Sequence, residues 1–195
     1  MHSNIIKMKK NYNGILVALL SLPIILSGSQ NNEFDYEFIQ DGNCYSFRGS
    51  FIVQAERDCL IDVIYNFEHI SKYATDAESV EFVRQGENWN EVTYTYRKFL
   101  VLENKSTWRR TLNRDEQKVV FEMISSKNNV SFMPQLLSSS GYYQITPEKE
   151  GYKVEYFQEC KLKTGLLKDA YISQAKKEAI KFLREFKEYI ERTCD

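Results

Sequence analysis

The chain of 195 residues contains few of the side chains that most catalytic and metal-binding motifs require. Its two histidines, His2 and His69, are too few for most histidine-based catalysis and for most zinc sites. Three prolines and eight glycines exclude collagen-like and low-complexity chains. We therefore expect a folded protein for which no catalytic residue, metal site or cofactor is predicted.

An excess of positive charge is also missing. Lysine and arginine total 26 against 27 aspartate and glutamate residues, so the formal net charge is −1 at pH 7. This balance offers no general attraction to nucleic acid, and we predict no nucleic-acid partner. Aromatic side chains are abundant instead, with 12 phenylalanines, 13 tyrosines and two tryptophans, which is enough to build the core of one domain.

The chain has no apolar run as long as a bilayer requires. Three lysines near the N-terminus precede an uncharged run over residues 14–26, and small residues follow at 27–29. This run of about 13 residues is shorter than the roughly 20 of a membrane-spanning helix. Positive charges followed by a short apolar run and then small residues are typical of a secretory signal. We therefore predict a signal peptide over 1–29 and a secreted or periplasmic protein without a lipid-attachment cysteine. The alternative is a membrane anchor at 14–26.

The remainder divides into a linker and one domain. Residues 30–41 are polar and acidic without clear periodicity and are interpreted as a linker, so the domain spans 42–195. Alternating apolar residues predict a long strand near 45–55, two short helices and then six more strands. Along 166–192 the apolar residues recur every three or four positions, which predicts one amphipathic helix that must lie across the apolar face of the sheet.

This order of elements resembles the helix-grip arrangement of START and Bet v-type proteins, the SRPBCC superfamily. The most similar pieces are the strand residues 51–55 leading into 60–64, and the later 141–147, which reads glycine-x-aromatic-x-aliphatic-x-proline. Tyr143 stands where tryptophan is common in the superfamily. The resemblance implies an α+β fold in which a curved antiparallel sheet of about seven strands wraps the C-terminal helix. It also implies a cavity that takes sterols, other lipids, quinones, polyketides or plant hormones.

Within that fold, inward-facing aromatic residues would form most of the cavity wall. Arg110 shares their face of the sheet and could supply a cation for an anionic head group or, alternatively, reach water at the open end. The opposing interpretation is that the aromatic rings close-pack and leave no cavity. The ten residues predicted to bind the ligand are Tyr94, Tyr96, Trp108, Arg110, Phe121, Met123, Tyr143, Tyr156, Tyr171 and Phe182.

These features predict an exported binding protein or carrier for a hydrophobic small molecule. We expect a monomer that makes transient contact with membranes. One alternative is an enzyme similar to polyketide cyclases and aromatases, although export counts against it because carrier-bound polyketide intermediates are cytoplasmic. The other is a structural or partner-binding domain with a filled core.

The four cysteines allow three complete disulfide pairings. Cys160 falls on the inward row of its strand and Cys44 on the outward row, so a bridge between them conflicts with the pleat. In the helix-grip arrangement the end of the long helix returns to the two short helices. The resemblance therefore implies a disulfide between Cys59 and Cys194.

Overall fold

The computed structural model describes residues 24–31, 34–99, 102–128, 134–163 and 167–194. Most of the predicted signal peptide, residues 1–23, lies outside these ranges. The helices are α1 (Arg57–Tyr65), α2 (Phe67–Tyr73) and α3 (Lys168–Cys194). The strands are β1 (Ile24–Asn31), β2 (Phe34–Asp41), β3 (Cys44–Val53), β4 (Ala77–Gln85), β5 (Trp89–Phe99), β6 (Leu102–Asn113), β7 (Lys118–Asn128), β8 (Gln135–Glu148) and β9 (Gly151–Lys163).

The strands that the structure describes form one antiparallel sheet in the order β1-β2-β3-β9-β8-β7-β6-β5-β4. Strands β4 to β9 are a meander in which each strand pairs with the next one along the chain, and the return from β9 to β3 joins this meander to the N-terminal strands. The seven predicted strands are β3 to β9, and α1 and α2 follow the first of them. The predicted α+β helix-grip fold is confirmed.

The predicted linker over 30–41 is wrong, because β2 occupies most of it and pairs with β3 along seven residue pairs. Phe34 and Phe38 are buried in the core, and the ring of Phe38 lies 5.8 Å from Nζ of Lys176 on α3. The acidic residues between these aromatics gave the segment a polar composition that hid its alternation. Strand β1 pairs with β2, and the predicted cleavage point after Ser29 lies within β1.

The inner face of the sheet is built from the alternating apolar residues. On β9, for example, Val154, Tyr156 and Leu162 are buried, whereas their neighbours are more exposed. Gly141 on β8 is required at this face, because a Cβ there would collide with the backbone oxygen of Phe157 on β9 and with the ring of Phe121. Glycine at the head of the glycine-x-aromatic motif therefore lets β8 and β9 approach each other.

Helix α3 is anchored to this face through its C-terminal half. Leu183, Phe186 and Ile190 are completely buried, and each such side chain contributes about 1.5–3 kcal/mol to folding. Gly49 on β3 leaves the space that the Leu183 side chain fills. In the N-terminal half of α3 only Ile172 is buried. The helix thus has one firmly packed half and one half that covers an open space.

Covalent and polar contacts also hold the C-terminal end of α3. A disulfide joins Cys59 on α1 to Cys194, the pair that the resemblance implied. His69 on α2 bridges helices, with Nδ1 2.7 Å from the Tyr189 hydroxyl on α3 and Nε2 3.1 Å from Oδ2 of Asp62 on α1.

Within the described part of the chain, no helix is both long enough and apolar enough to cross a bilayer.

We expect the double substitution of Cys59 and Cys194 by serine to lower the free energy of unfolding by about 3–5 kcal/mol, because the bridge closes a loop across 135 residues. Far-ultraviolet circular dichroism should stay native, since α3 remains packed through Leu183 and Phe186. The measurement is denaturant unfolding with and without reductant. Cys44→Ser, at an exposed free cysteine, is the control. An unfolding midpoint in the wild type that does not respond to reductant would contradict the expectation.

Candidate functional site

A cavity of about 800 Å³ lies between the N-terminal half of α3 and the inner face of the sheet. Its wall includes side chains from β3, β5 to β9, the link between α2 and β4, and α3. This volume lies within the roughly 300–1,000 Å³ that is usual for small-molecule sites. The aromatic rings therefore do not fill all the space between α3 and the sheet, as the opposing interpretation expected.

Part of the aromatic set does pack as a filled core. The rings of Tyr143 and Tyr156 have centroids 5.0 Å apart, and Phe182 on α3 lies 5.1 Å from Tyr156 and 5.5 Å from Phe186. Three of these rings, those of Tyr143, Tyr156 and Phe182, also border the cavity. The opening beside them exists because α3 presents alanines there, including Ala175 and Ala179, which are too small to reach the sheet.

Nine of the ten predicted ligand-binding residues line this cavity: Tyr94, Tyr96, Trp108, Arg110, Phe121, Tyr143, Tyr156, Tyr171 and Phe182. Met123 is not part of the wall, which corrects the prediction. It is half-buried against the core, opposite Trp108. Met123 keeps the inward parity of Val119 and Phe121, but the register of β7 against β6 shifts directly after it, at Ile124, so Met123 is the last residue of that inward row.

The sequence prediction missed several wall residues. Tyr45, Phe47 and Cys160 lie on rows that the alternation had already identified as inward, so the same signal could have found them. Asp76 could not have been found in this way, because it lies in the short link between α2 and β4, where no periodicity applies.

Arg110 is buried, with 2% of its surface exposed, so it does not reach water at the open end of the sheet. Its Nη1 donates to the backbone oxygen of Tyr65 at 3.3 Å, and its Nη2 donates to the backbone oxygen of Ile64. Both oxygens belong to the last turn of α1, where the helix dipole favours a positive charge. In the described part of the chain, Arg110 has no carboxylate as an ion-pair partner.

A second polar region of the wall lies beside β4 and β5. The rings of Tyr94 and Tyr96 stack with centroids 6.1 Å apart, and burial raises the pKa of both hydroxyls. Burial also raises the pKa of Asp76, and the nearby carboxylates of Glu178 and Glu185 raise it further, against the lowering effect of Lys181 and of the local backbone. The two tyrosines therefore remain neutral hydrogen-bonding groups at physiological pH.

The opposite side of the wall is a connected hydrogen-bond chain. The Tyr156 hydroxyl donates to Oε1 of Gln158 at 2.6 Å, and Nε2 of Gln158 donates to Oγ of Ser139 at 3.0 Å. Oγ of Ser139 lies 3.1 Å from Sγ of Cys160. Burial raises the pKa of the Cys160 thiol, so this sulfur is a protonated wall atom and a poor nucleophile. Burial, with a contribution from Cys160, also raises the pKa of Tyr171 to about 12.

The described residues contain no group of three or more histidine, cysteine, aspartate or glutamate side chains placed to hold a metal ion. The wall of the cavity thus combines aromatic faces, neutral hydroxyls and one buried guanidinium with the carboxyl groups of Asp76 and Glu178.

Comparison with known proteins gives matches to structures only. No protein-family model matches the chain, and no curated protein matches its sequence. A STAR-related lipid transfer protein of Xanthomonas axonopodis superposes with a TM-score of 0.62 at 9% identity, covering 85% of this chain and 98% of that one. Human STARD10 superposes with a TM-score of 0.65 at 10% identity, covering 85% of this chain and 72% of that one.

The Zhui aromatase/cyclase of a Streptomyces species gives a TM-score of 0.63 at 13% identity, covering 76% of this chain and 94% of that one. Lipid transfer proteins and polyketide aromatase/cyclases thus share the architecture described above. The chain has the helix-grip fold. Its predicted resemblance to the START and SRPBCC superfamily is confirmed at the level of the fold.

The raised pKa of Asp76 predicts a stability effect with a defined sign. The folded protein binds this proton more tightly than the unfolded chain does, so ionisation destabilises the fold as pH rises from the unfolded pKa through the folded one. Asp76→Asn should therefore raise the free energy of unfolding at pH 7. The gain should vanish below about pH 3.9, the ordinary pKa of aspartate.

The measurement is denaturant unfolding of both proteins across this pH range. Asp115→Asn, at an exposed turn position, is the matched control and should have little effect. An Asp76→Asn variant that is less stable than the wild type at pH 7 would show that this carboxylate makes a net stabilising contact instead.

Proposed function

We propose that this protein is an exported binding protein or carrier that holds one hydrophobic small molecule between its sheet and α3. The observation that carries the proposal is the cavity of about 800 Å³ with its aromatic wall. An apolar ligand gains free energy by leaving water for such a wall, and the buried tyrosine hydroxyls orient the few polar groups that it carries.

The two halves of α3 support a carrier role. The C-terminal half is fixed by the buried residues Leu183 and Phe186 and by the disulfide at Cys194. The N-terminal half has little buried surface of its own, so a bound ligand would supply the apolar contacts that its cavity-facing residues lack. Leu167, which borders the cavity and is 40% exposed, supports transient contact of a monomeric protein with a membrane during ligand exchange.

Filling the cavity should remove binding without unfolding the protein. Ala175→Trp places a large ring in the space between α3 and the sheet, and we expect at least tenfold weaker binding of anilinonaphthalene sulfonate, measured by its fluorescence. The unfolding temperature should be unchanged or higher, because a void is filled. Glu188→Trp, on the exposed side of the same helix, is the control and should bind the probe as the wild type does.

Lipid extracts offered to the purified protein extend this test to natural ligands. Mass spectrometry of the recovered complex should find a small molecule with the wild type and with Glu188→Trp but not with Ala175→Trp. Equal recovery with all three proteins, or no binding of probe or lipid by any of them, would overturn the proposed function.

Export is proposed from the predicted signal peptide over 1–29. Removal of these residues would delete Ile24–Ser29 from β1 and make β2 the edge strand of the sheet. Strand β2 would keep its pairing with β3 and its buried Phe34 and Phe38, so the folded domain does not depend on the segment that is lost.

The expected mature protein begins at Gln30. Expression of the full chain with its natural N-terminus, followed by intact mass measurement of the exported fraction, checks this. Recovery of the uncleaved chain in the membrane fraction would favour the anchor at 14–26 and contradict a secreted or periplasmic location.

A cyclase-like enzyme is the second candidate, and the similarity to the Zhui aromatase/cyclase together with the buried guanidinium favours it. Arg110 and the neighbouring tyrosine hydroxyls could polarise a ligand carbonyl. A carrier releases its ligand unchanged, whereas a cyclase releases a product with a different bonding pattern. Mass and fragmentation spectra of the recovered ligand, before and after incubation, separate the two.

A further inference from the structure

The two walls of the cavity differ in polarity. On the α3 side the half-buried wall residues Ala175, Ala179 and Phe182 are small or apolar. The polar residues of α3 at the cavity are the half-buried Glu178 and the exposed residues Ser173, Gln174, Lys177 and Lys181. The wall formed by β5, β6 and the link before β4 contains a row of polar groups. These groups are Arg110, Tyr94 and Asp76.

Some other polar groups of the wall already have partners inside the protein. Nε1 of Trp108 donates to Oγ of Ser106 at 2.8 Å, and Tyr156 is bonded to Gln158. Tyr94 and Asp76 differ from these. Neither side chain has a hydrogen bond to another side chain in the described part of the protein, and both border the same cavity. Burial raises the pKa of the Tyr94 hydroxyl, and the nearby carboxyl group of Asp76 raises it further, against the lowering effect of Arg110.

Arg110 also has binding capacity left. A guanidinium has five N–H donors in a fixed plane. The carbonyls of Ile64 and Tyr65 take bonds from its two Nη atoms, and no carboxylate of the described residues neutralises its charge. A ligand oxygen in the cavity would supply both an acceptor and a compensating charge.

These groups discriminate between classes of hydrophobic ligand. A pure hydrocarbon surface that covered Tyr94 and Asp76 would remove them from water without replacing their hydrogen bonds, which weakens binding by about tenfold for each group. A ligand with matching polar groups avoids this loss. Polar groups of the ligand that faced Ala175, Ala179 or Phe182 would gain no hydrogen bond there.

Building on the proposed function, we propose that the natural ligand is an amphipathic molecule that is polar along one edge. An acidic or carbonyl oxygen of the ligand accepts hydrogen bonds from Arg110, and a hydroxyl group further along the same edge bonds to Asp76, with Tyr94 between them. The apolar edge lies against α3. The ligand class is thus a hydroxylated hydrophobic acid or ketone, rather than a simple hydrocarbon chain or a sterol ester.

Three probes of equal chain length test this. Oleate carries a carboxylate and no other polar group, ricinoleate is the same acid with one hydroxyl on its chain, and oleyl alcohol replaces the carboxylate of oleate by a hydroxyl. Their affinities are measured by displacement of anilinonaphthalene sulfonate and by calorimetry. We expect ricinoleate to bind at least about fivefold more tightly than oleate, and oleate more tightly than oleyl alcohol.

Variants then assign these preferences to residues. Asp76→Leu should abolish or reverse the preference for ricinoleate while oleate binds as well as before or better, because an unpaired carboxyl is gone. Tyr94→Phe should reduce the preference. Phe182→Leu, on the apolar wall, is the matched control and should weaken ricinoleate and oleate equally. Circular dichroism verifies that each variant is folded.

The outcomes separate this inference from the proposal on which it rests. If ricinoleate and oleate bind the wild type equally, or if Asp76→Leu keeps the preference, the polar-edge inference is wrong and the hydrophobic carrier stands. Equal binding of oleate and oleyl alcohol would remove the part assigned to Arg110. If neither the fluorescent probe nor any of the three ligands binds, the proposed function is wrong and this inference falls with it.

Discussion

The contact between the C-terminal half of α3 and the sheet is the constraint on which the rest of the structure depends. Leu183, Phe186 and Ile190 are fully buried there, and the disulfide from Cys59 to Cys194 fixes the same end. Because the helix is held at that end, its other half spans the sheet without filling the space beneath it. The cavity is a consequence of this uneven anchoring and of the small side chains that α3 presents above it.

The cavity wall shows how one group serves both the fold and the site. Arg110 satisfies carbonyls of the last turn of α1, so its positive charge is held in the interior by backbone oxygens rather than by a carboxylate. The charge of Asp76 is not stabilised in this way, because burial disfavours its charged form and it has no cationic hydrogen-bond partner in the described part of the protein. A residue that costs stability and faces a cavity is typical of a binding site, where affinity for a ligand offsets the loss.

Much of the fold and much of the aromatic part of the cavity wall could be predicted from alternation and helical spacing. Strands β3 to β9, helix α3 and nine lining residues follow from local periodicity, because a buried face imposes its period on the sequence. The exceptions are places where another effect overrides that period. Acidic residues between Phe34 and Phe38 hid β2, and Asp76 lies in a link that has no period. Met123 follows the inward period of β7 but packs against the core beside a register shift and does not line the cavity.

The sequence by itself determined the class of fold, the apolar face of α3 and the inward-facing rows of the sheet, because each of these follows from apolar residues that repeat at a regular spacing along the chain. Only the tertiary structure decided that a cavity remains beside a packed aromatic core, that the guanidinium of Arg110 reaches the end of α1, and that Asp76 shares the cavity wall with Tyr94. These properties depend on distances between residues far apart in the chain, which are set by how strands and helices pack rather than by the local order of amino acids.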